Sequence, residues 1–196
     1  MSSSAIIQIQ ENLHYPPLKK VDPNTQKVIS IEDNRADHSF GQAAIPSILA
    51  SFCNYGQSDE GALNILNTHQ QKNWLKTIFG EKQQEAIQHV CDYSGESGQF
   101  TLFHMQAIAK EVVKMVQEQL PENGGTEDIK VFFKNEKNDI LTYLPAKIQI
   151  GKLLNDDSLD DETNKMTGGL SGLVHSIGNA FNSTGEKADI TDITKN

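Results

Sequence analysis

Arginine is almost absent from this chain. Arg35 stands alone among 17 basic residues, set against 26 acidic ones. Guanidinium groups are the preferred bidentate partners of phosphates and guanine edges. Their shortage, with a formal net charge of −9, argues against nucleic acid as a partner. The lysines are dispersed among acids, which reads as a solvated surface rather than a basic groove. Cysteine is scarce too. Cys53 and Cys91 fall in stretches of helical periodicity and form no CxxC pair, so two buried thiols in a reducing compartment are expected. No apolar run approaches the ~20 residues that a membrane span requires. The opening MSSSAIIQ carries neither a basic n-region nor a long h-region. A soluble, cytoplasmic protein without a membrane span is the expectation.

Chemical motifs are missing as well. The six histidines, His14, His38, His69, His89, His104 and His175, include no H-x-x-x-H pair and no H-E-x-x-H. Cys91 and His104 lie near each other in sequence, but one thiol and one imidazole do not make a zinc site. The acidic run over residues 155–162 fails as a calcium loop. Counted from Asp156, Asp161 stands where glycine is needed and Thr167 where glutamate is needed. Those acids read as the solvated start of a helix. Gly169-Leu170-Ser171-Gly172-Leu173 approaches G-x-S-x-G, yet Leu173 replaces the final glycine and no strand precedes it. His175 is one helical turn from Ser171, which is local spacing and not a triad. Neither a P-loop nor a dinucleotide fingerprint occurs. No catalytic residue, metal or cofactor is therefore expected.

What is present is helical periodicity. The longest clean stretch runs from Ser94-Gly95 to Leu120, with Leu102, Met105, Ile108, Ala109, Val112, Val116 and Leu120 on one face. This stretch is taken as the central helix of a bundle. Ahead of it, a helix capped by Asp37 or Ser39 carries Phe40, Ala44, Ile45, Ile48, Leu49 and Phe52. Pro46 should kink or split it, and Gly56 should end it in a left-handed conformation. Ser58-Asp59-Glu60 starts a further helix with acids in its first turn. Asn73–Gly80 and Glu81–Tyr93 follow, stopped by Gly80 and Gly95, with Trp74 as a core anchor. After the break at Leu120–Gly125, residues 129–144 fit either a hairpin or helices. Helices are preferred, because two lone strands would need a sheet to join.

The ends read differently. Ala5–Gln10 and Lys27–Ile31 suggest short extended segments separated by Tyr15-Pro16-Pro17 and Asp22-Pro23. Residues 1–36 are expected to be a non-helical N-terminal arm or linker, residues 37–181 a helical domain, and residues 182–196 a fraying tail. Within 168–181, Leu170, Leu173, Val174, Ile177 and Phe181 share one helical face. If that face does not pack on the bundle, it is a candidate partner-docking face.

The punctuation also resembles a known family. Ala44-Ile45-Pro46, then Ser58 with Gly61-Ala62 and Ile65-Leu66, then Leu75 with Ile78-Phe79-Gly80, then Ser94-Gly95 before the long helix, are similar to the YidB-like bacterial proteins of unknown function. The similarity covers about residues 40–120, more loosely extending to Leu144-Pro145 and Gly151–Leu154. Lys110-Glu111 depart from it where the family's long helix carries a proline. The resemblance implies a multihelical fold without an assigned enzymatic activity. The expected protein is an all-α multihelical bundle around a long central helix. Its expected role is that of a non-catalytic module for protein–protein interaction or assembly, its partner being another protein or itself. The alternative is a small-molecule-binding protein or hydrolytic enzyme whose site gathers distant residues such as His89, His104 and the acids near Asp160.

Overall fold

The computed structural model describes residues 4–21, 36–67, 73–156 and 159, and every regular element among them is helical. The chain runs through α1 (Ala5–Asn12), α2 (Ala36–Tyr55), α3 (Asp59–Asn67), α4 (Trp74–Phe79), α5 (Gln83–Ser94), α6 (Gly98–Gln119), α7 (Thr126–Leu141) and α8 (Ile150–Leu154). The all-α class is as expected. Residues 129–141 are helical, within α7, which decides the question that propensity left open.

The centre of the bundle is α2, not the stretch from residue 98 onward. Every residue from Phe40 to Cys53 is buried, and α1, α4, α5, α6, α7 and α8 all pack on this one helix. Its composition explains the position. Apolar side chains occur on every side, while Gly41, Ala43, Ala44 and Ala50 are small enough for neighbours to approach closely. The buried hydroxyls need partners and find them one turn back. Ser47 donates to the Ala43 carbonyl at 2.5 Å and Ser51 to the Ser47 carbonyl at 2.8 Å. The helix continues through Pro46 rather than dividing there.

α6 lies on one side of α2, against α1, α3, α4 and α5 as well. Met105, Ile108, Ala109, Val112 and Val116 form its buried face as expected. Leu102 does not join them. It sits in the first turns of the helix at the edge of the buried arc and is 41% exposed. Ser97 caps α6 by accepting from the Phe100 N–H at 3.3 Å, and Asn73 caps α4 by accepting from the Lys76 N–H at 3.1 Å.

The N-terminal segment corrects the expectation of a non-helical arm. Ala5–Asn12 form α1, whose Ala5, Ile6 and Ile9 enter the common core. The apolar set Ala5, Ile6, Ile9 and Leu13 follows helical spacing, which outweighs the β-propensity of three isoleucines. The Ala5 N–H donates to Glu136 Oε2 at 2.9 Å, and the Ser4 hydroxyl bonds Asp139. Beyond α1 one buried amide makes several of the bonds that hold the chain. Gln42 accepts from the Lys19 N–H at 2.8 Å and donates to the carbonyls of Lys19 and Tyr143 at 2.9 and 2.7 Å. The second expected extended segment, Lys27–Ile31, lies outside the described residues.

Two glycine expectations part ways. Gly80 (φ +56°) and Gly95 (φ +80°) take positive φ at their helix ends. Gly56 does not; its missing side chain instead makes room for Phe133, whose Cδ2 would stand 2.7 Å from an added Cβ. Trp74, 1% exposed, anchors the core as expected, with its ring centroid 5.5 Å from that of Phe52.

Candidate functional site

The bundle hides its large apolar side chains well, with one clustered exception. Ile7, Leu63 and Val131 are exposed singly on α1, α3 and α7, which is ordinary for a protein surface. Leu102 and Phe103 are exposed together at the start of α6, and Phe103, at 71%, is the most exposed large apolar side chain among the described residues. On a helix Phe103 lies almost opposite Met105, so the packing that buries the Met105 face turns Phe103 outward.

Phe103 stands between two hollows. On one side a groove of about 590 Å³ is lined by Gln99, Leu102, Gln106, Ala107 and Lys110, with Asn73 at the entry to α4. Among the described residues Lys110 is the only charged one lining it. On the other side a cleft of about 490 Å³ opens between α6 and residues 13–16, walled by Tyr15, Phe40, Phe100 and His104. Ala107 borders both, and borders a third hollow of about 370 Å³ that continues along α6 past Lys114 to Gln117. A ridge of two large apolar side chains beside a short alanine gives this face both a projection and a depression.

The aromatic cleft owes its shape to ring packing. Phe100 stacks on His104 with centroids 4.0 Å apart, and Phe40 meets both edge-on at 5.2 and 5.8 Å. His104 Nδ1 lies 3.1 Å from the Tyr15 hydroxyl, which ties the N-terminal segment to α6. Its other ring nitrogen has no protein partner among the described residues.

The remaining candidates have structural employment. His89 donates from Nδ1 to the Ile148 carbonyl at 2.7 Å, since a carbonyl can only accept. It thereby fastens α5 to the turn before α8. His89 and His104 thus each hold a separate junction, and Asp160 lies outside the described residues. Cys53 and Cys91 are free and buried. The Cys91 thiol donates to Thr101 Oγ1 at 3.2 Å, and that of Cys53 to the Phe133 carbonyl at 3.6 Å. Burial pushes the Cys53 thiol up to about 12, the positive charge of Lys137 offsetting only part of this. Such a thiol is a poor nucleophile. Among the described residues no group of three or more His, Cys, Asp or Glu side chains is placed to hold a metal ion, and no helix is long and apolar enough to cross a membrane.

The candidate docking face Leu170, Leu173, Val174, Ile177 and Phe181 lies outside the described residues, as does the Ser171–His175 pair. The exposed ridge on α6 was not singled out from sequence, although a signal existed. Phe103 is a large aromatic falling in phase with Gln99, Gln106 and Lys110 rather than with the apolar face.

No protein-family model, no curated protein and no solved structure matches this chain.

Proposed function

We propose that this bundle is a non-catalytic interaction module that docks another polypeptide on the outer face of α6. The observation that carries the reading is the joint exposure of Leu102 (41%) and Phe103 (71%) on a grooved surface whose lining bears no carboxylate. Exposed aromatic side chains beside a hollow are the usual anchors of protein interfaces. The two unpaired, buried thiols fit work in a reducing compartment, the cytoplasm. A kinship with the YidB-like proteins, resting on the Ala44-Ile45-Pro46 and Gly61-Ala62 punctuation, belongs to the same proposal.

The test compares two exposed positions. With the purified chain immobilised, Phe103→Asp should lose whatever polypeptide the wild type retains, whereas Val131→Asp, at an isolated exposed residue of α7, should retain it. Equal retention by both variants would remove the α6 face from consideration.

A second reading has one specific observation behind it. The cleft beside His104 joins aromatic walls to a ring nitrogen without a protein partner among the described residues, which suits a small planar ligand. Native mass spectrometry would reveal a reproducible added mass, lost in Phe100→Ala, under that reading and a bare chain otherwise.

A further inference from the structure

We infer that the cleft between α6 and residues 13–16 binds an uncharged planar heteroaromatic molecule, recognised through the imidazoles of His14 and His104. The inference rests on the small-ligand reading of that cleft given above and names the ligand's class.

A specific local turn builds the cleft. After α1 the Tyr15 N–H donates to the Gln10 carbonyl at 2.9 Å and the His14 N–H to the Glu11 carbonyl at 3.1 Å, the paired bonds of a Schellman ending. Such an ending needs a left-handed residue, and His14 takes φ +57° where glycine is the usual occupant. The reversal lays Tyr15 on Gly41 of α2, where an added Cβ would stand 3.3 Å from Tyr15 Cδ1. It also brings His14 to the lining that His104 shares. A hollow of about 490 Å³ falls within the range of small-molecule sites.

The lining selects the ligand's charge. Tyr15, Phe40, Phe100 and His104 offer ring surface, and among the described residues no Lys, Arg, Asp or Glu lines the cleft. An ion entering it would shed water without gaining a counter-charge. An anion is further repelled by a chain of net charge −9. A plain hydrocarbon would suit the rings but leave imidazole nitrogens unpaired. His104 is fixed from one side, its ring stacked 4.0 Å from that of Phe100 and its Nδ1 3.1 Å from the Tyr15 hydroxyl. Among the described residues Nε2 is therefore the atom left to meet a ligand. Where the Tyr15 hydroxyl donates, Nε2 carries the proton and donates; where Nδ1 donates, Nε2 accepts. A ring system that bears both acceptors and an N–H satisfies either tautomer.

Histidine-ring NMR on the full chain tests this with four probes of one shape. They are quinoline carboxamide, its carboxylate, its N-methylated cation, and naphthalene carboxamide, which lacks the ring nitrogen. Quinoline carboxamide should shift the resonances of both His14 and His104 and bind about ten-fold more tightly than the other three. In His104→Phe, which keeps a ring in the wall, its advantage over naphthalene carboxamide should vanish. His14→Gly should weaken binding several-fold yet melt at or above the wild-type temperature, because the backbone there suits glycine. Equal or tighter binding of either ion overturns the inference while leaving a ligand cleft standing. So does equal binding of naphthalene carboxamide, or a preference that persists in both variants. Probes that leave both histidines unshifted sink the inference and the small-ligand reading together.

Discussion

α2 and α6 are the two longest helices described, and they answer to opposite constraints. α2 is buried on all sides, whereas α6 is buried on one and presents Phe103 to water on the other. The difference inverts the usual reading of amphipathicity. A sharply one-sided apolar stripe marks a helix at the boundary, because the polar remainder must face solvent. A helix with little difference between its faces, and with its few polar side chains bonded internally, is the one that others surround. Every position from Phe40 to Cys53 is therefore committed to packing, while the outer positions of α6 are free to serve something else.

The largest expected effect separates the two helices outright. Phe52 on α2 is wholly buried, with ring centroids 5.5 Å from Trp74 and 6.2 Å from Phe133. Phe52→Ala should cost about 3–5 kcal/mol, since it removes buried surface and leaves a cavity. Phe103→Ala on α6 should change stability by no more than about 0.5 kcal/mol. Urea denaturation of both variants measures the contrast. A cost for Phe103→Ala near that for Phe52→Ala would mean that Phe103 is part of the core after all.

A smaller effect probes the junctions of the same two helices. Gly61 lies in α3 where the chain turns back beneath the end of α2, and a Cβ there would stand 1.9 Å from the Tyr55 carbonyl oxygen. Gly61→Ala must shift backbone and should cost about 1–3 kcal/mol. Gly98 opens α6 with nothing within 4 Å of an added Cβ, and its φ lies outside the left-handed region. Gly98→Ala should stabilise by about 0.4–1 kcal/mol, by restricting the unfolded chain. Thermal melts of the pair should move in opposite directions, and a shared direction would contradict the tight approach at Gly61.

Much of this architecture was legible because local signals agreed with tertiary ones. Gly80 and Gly95 end helices at the positions where the apolar period breaks, and Trp74 packs where its spacing with Ile78 puts it. Three of the readings that the structure corrects share a reason, which is that they depend on neighbours far along the chain. Ala5–Gln10 was read as extended because isoleucine favours strands, yet the buried surface offered by α2, α6 and α7 decides in favour of a helix. Gly56 was read as a left-handed stop, but its need for space comes from Phe133, far along the sequence. Leu102 shares the period of the buried face but lies at its edge, where none of the described helices covers it. The exposed ridge on α6 is hidden in the sequence for the converse reason. Phe103 is out of phase with the core, and periodicity marks only the core.

The last expected effect concerns a thiol on the buried helix. Cys53 ionises only near pH 12 in the native protein because burial disfavours the thiolate, against an ordinary value of 9.0 in the unfolded chain. Below 9.0 both states hold the proton and the group adds no pH dependence. Between 9.0 and 12 the unfolded chain releases its proton while the native chain keeps it, so the native state binds more protons and stability falls as pH rises. The loss approaches about 1.4 kcal/mol for each pH unit inside that window. Other groups titrate in the wild type and in Cys53→Ala alike, so the difference between them isolates this thiol. Denaturation at about pH 8.5 and 10 should show Cys53→Ala losing less stability than the wild type over that step. A thiol installed by Phe103→Cys, in water on α6, should keep its ordinary ionisation and leave the wild-type slope unchanged. Identical slopes for wild type and Cys53→Ala would mean that water reaches Cys53, and that α2 is less enclosed than its packing shows.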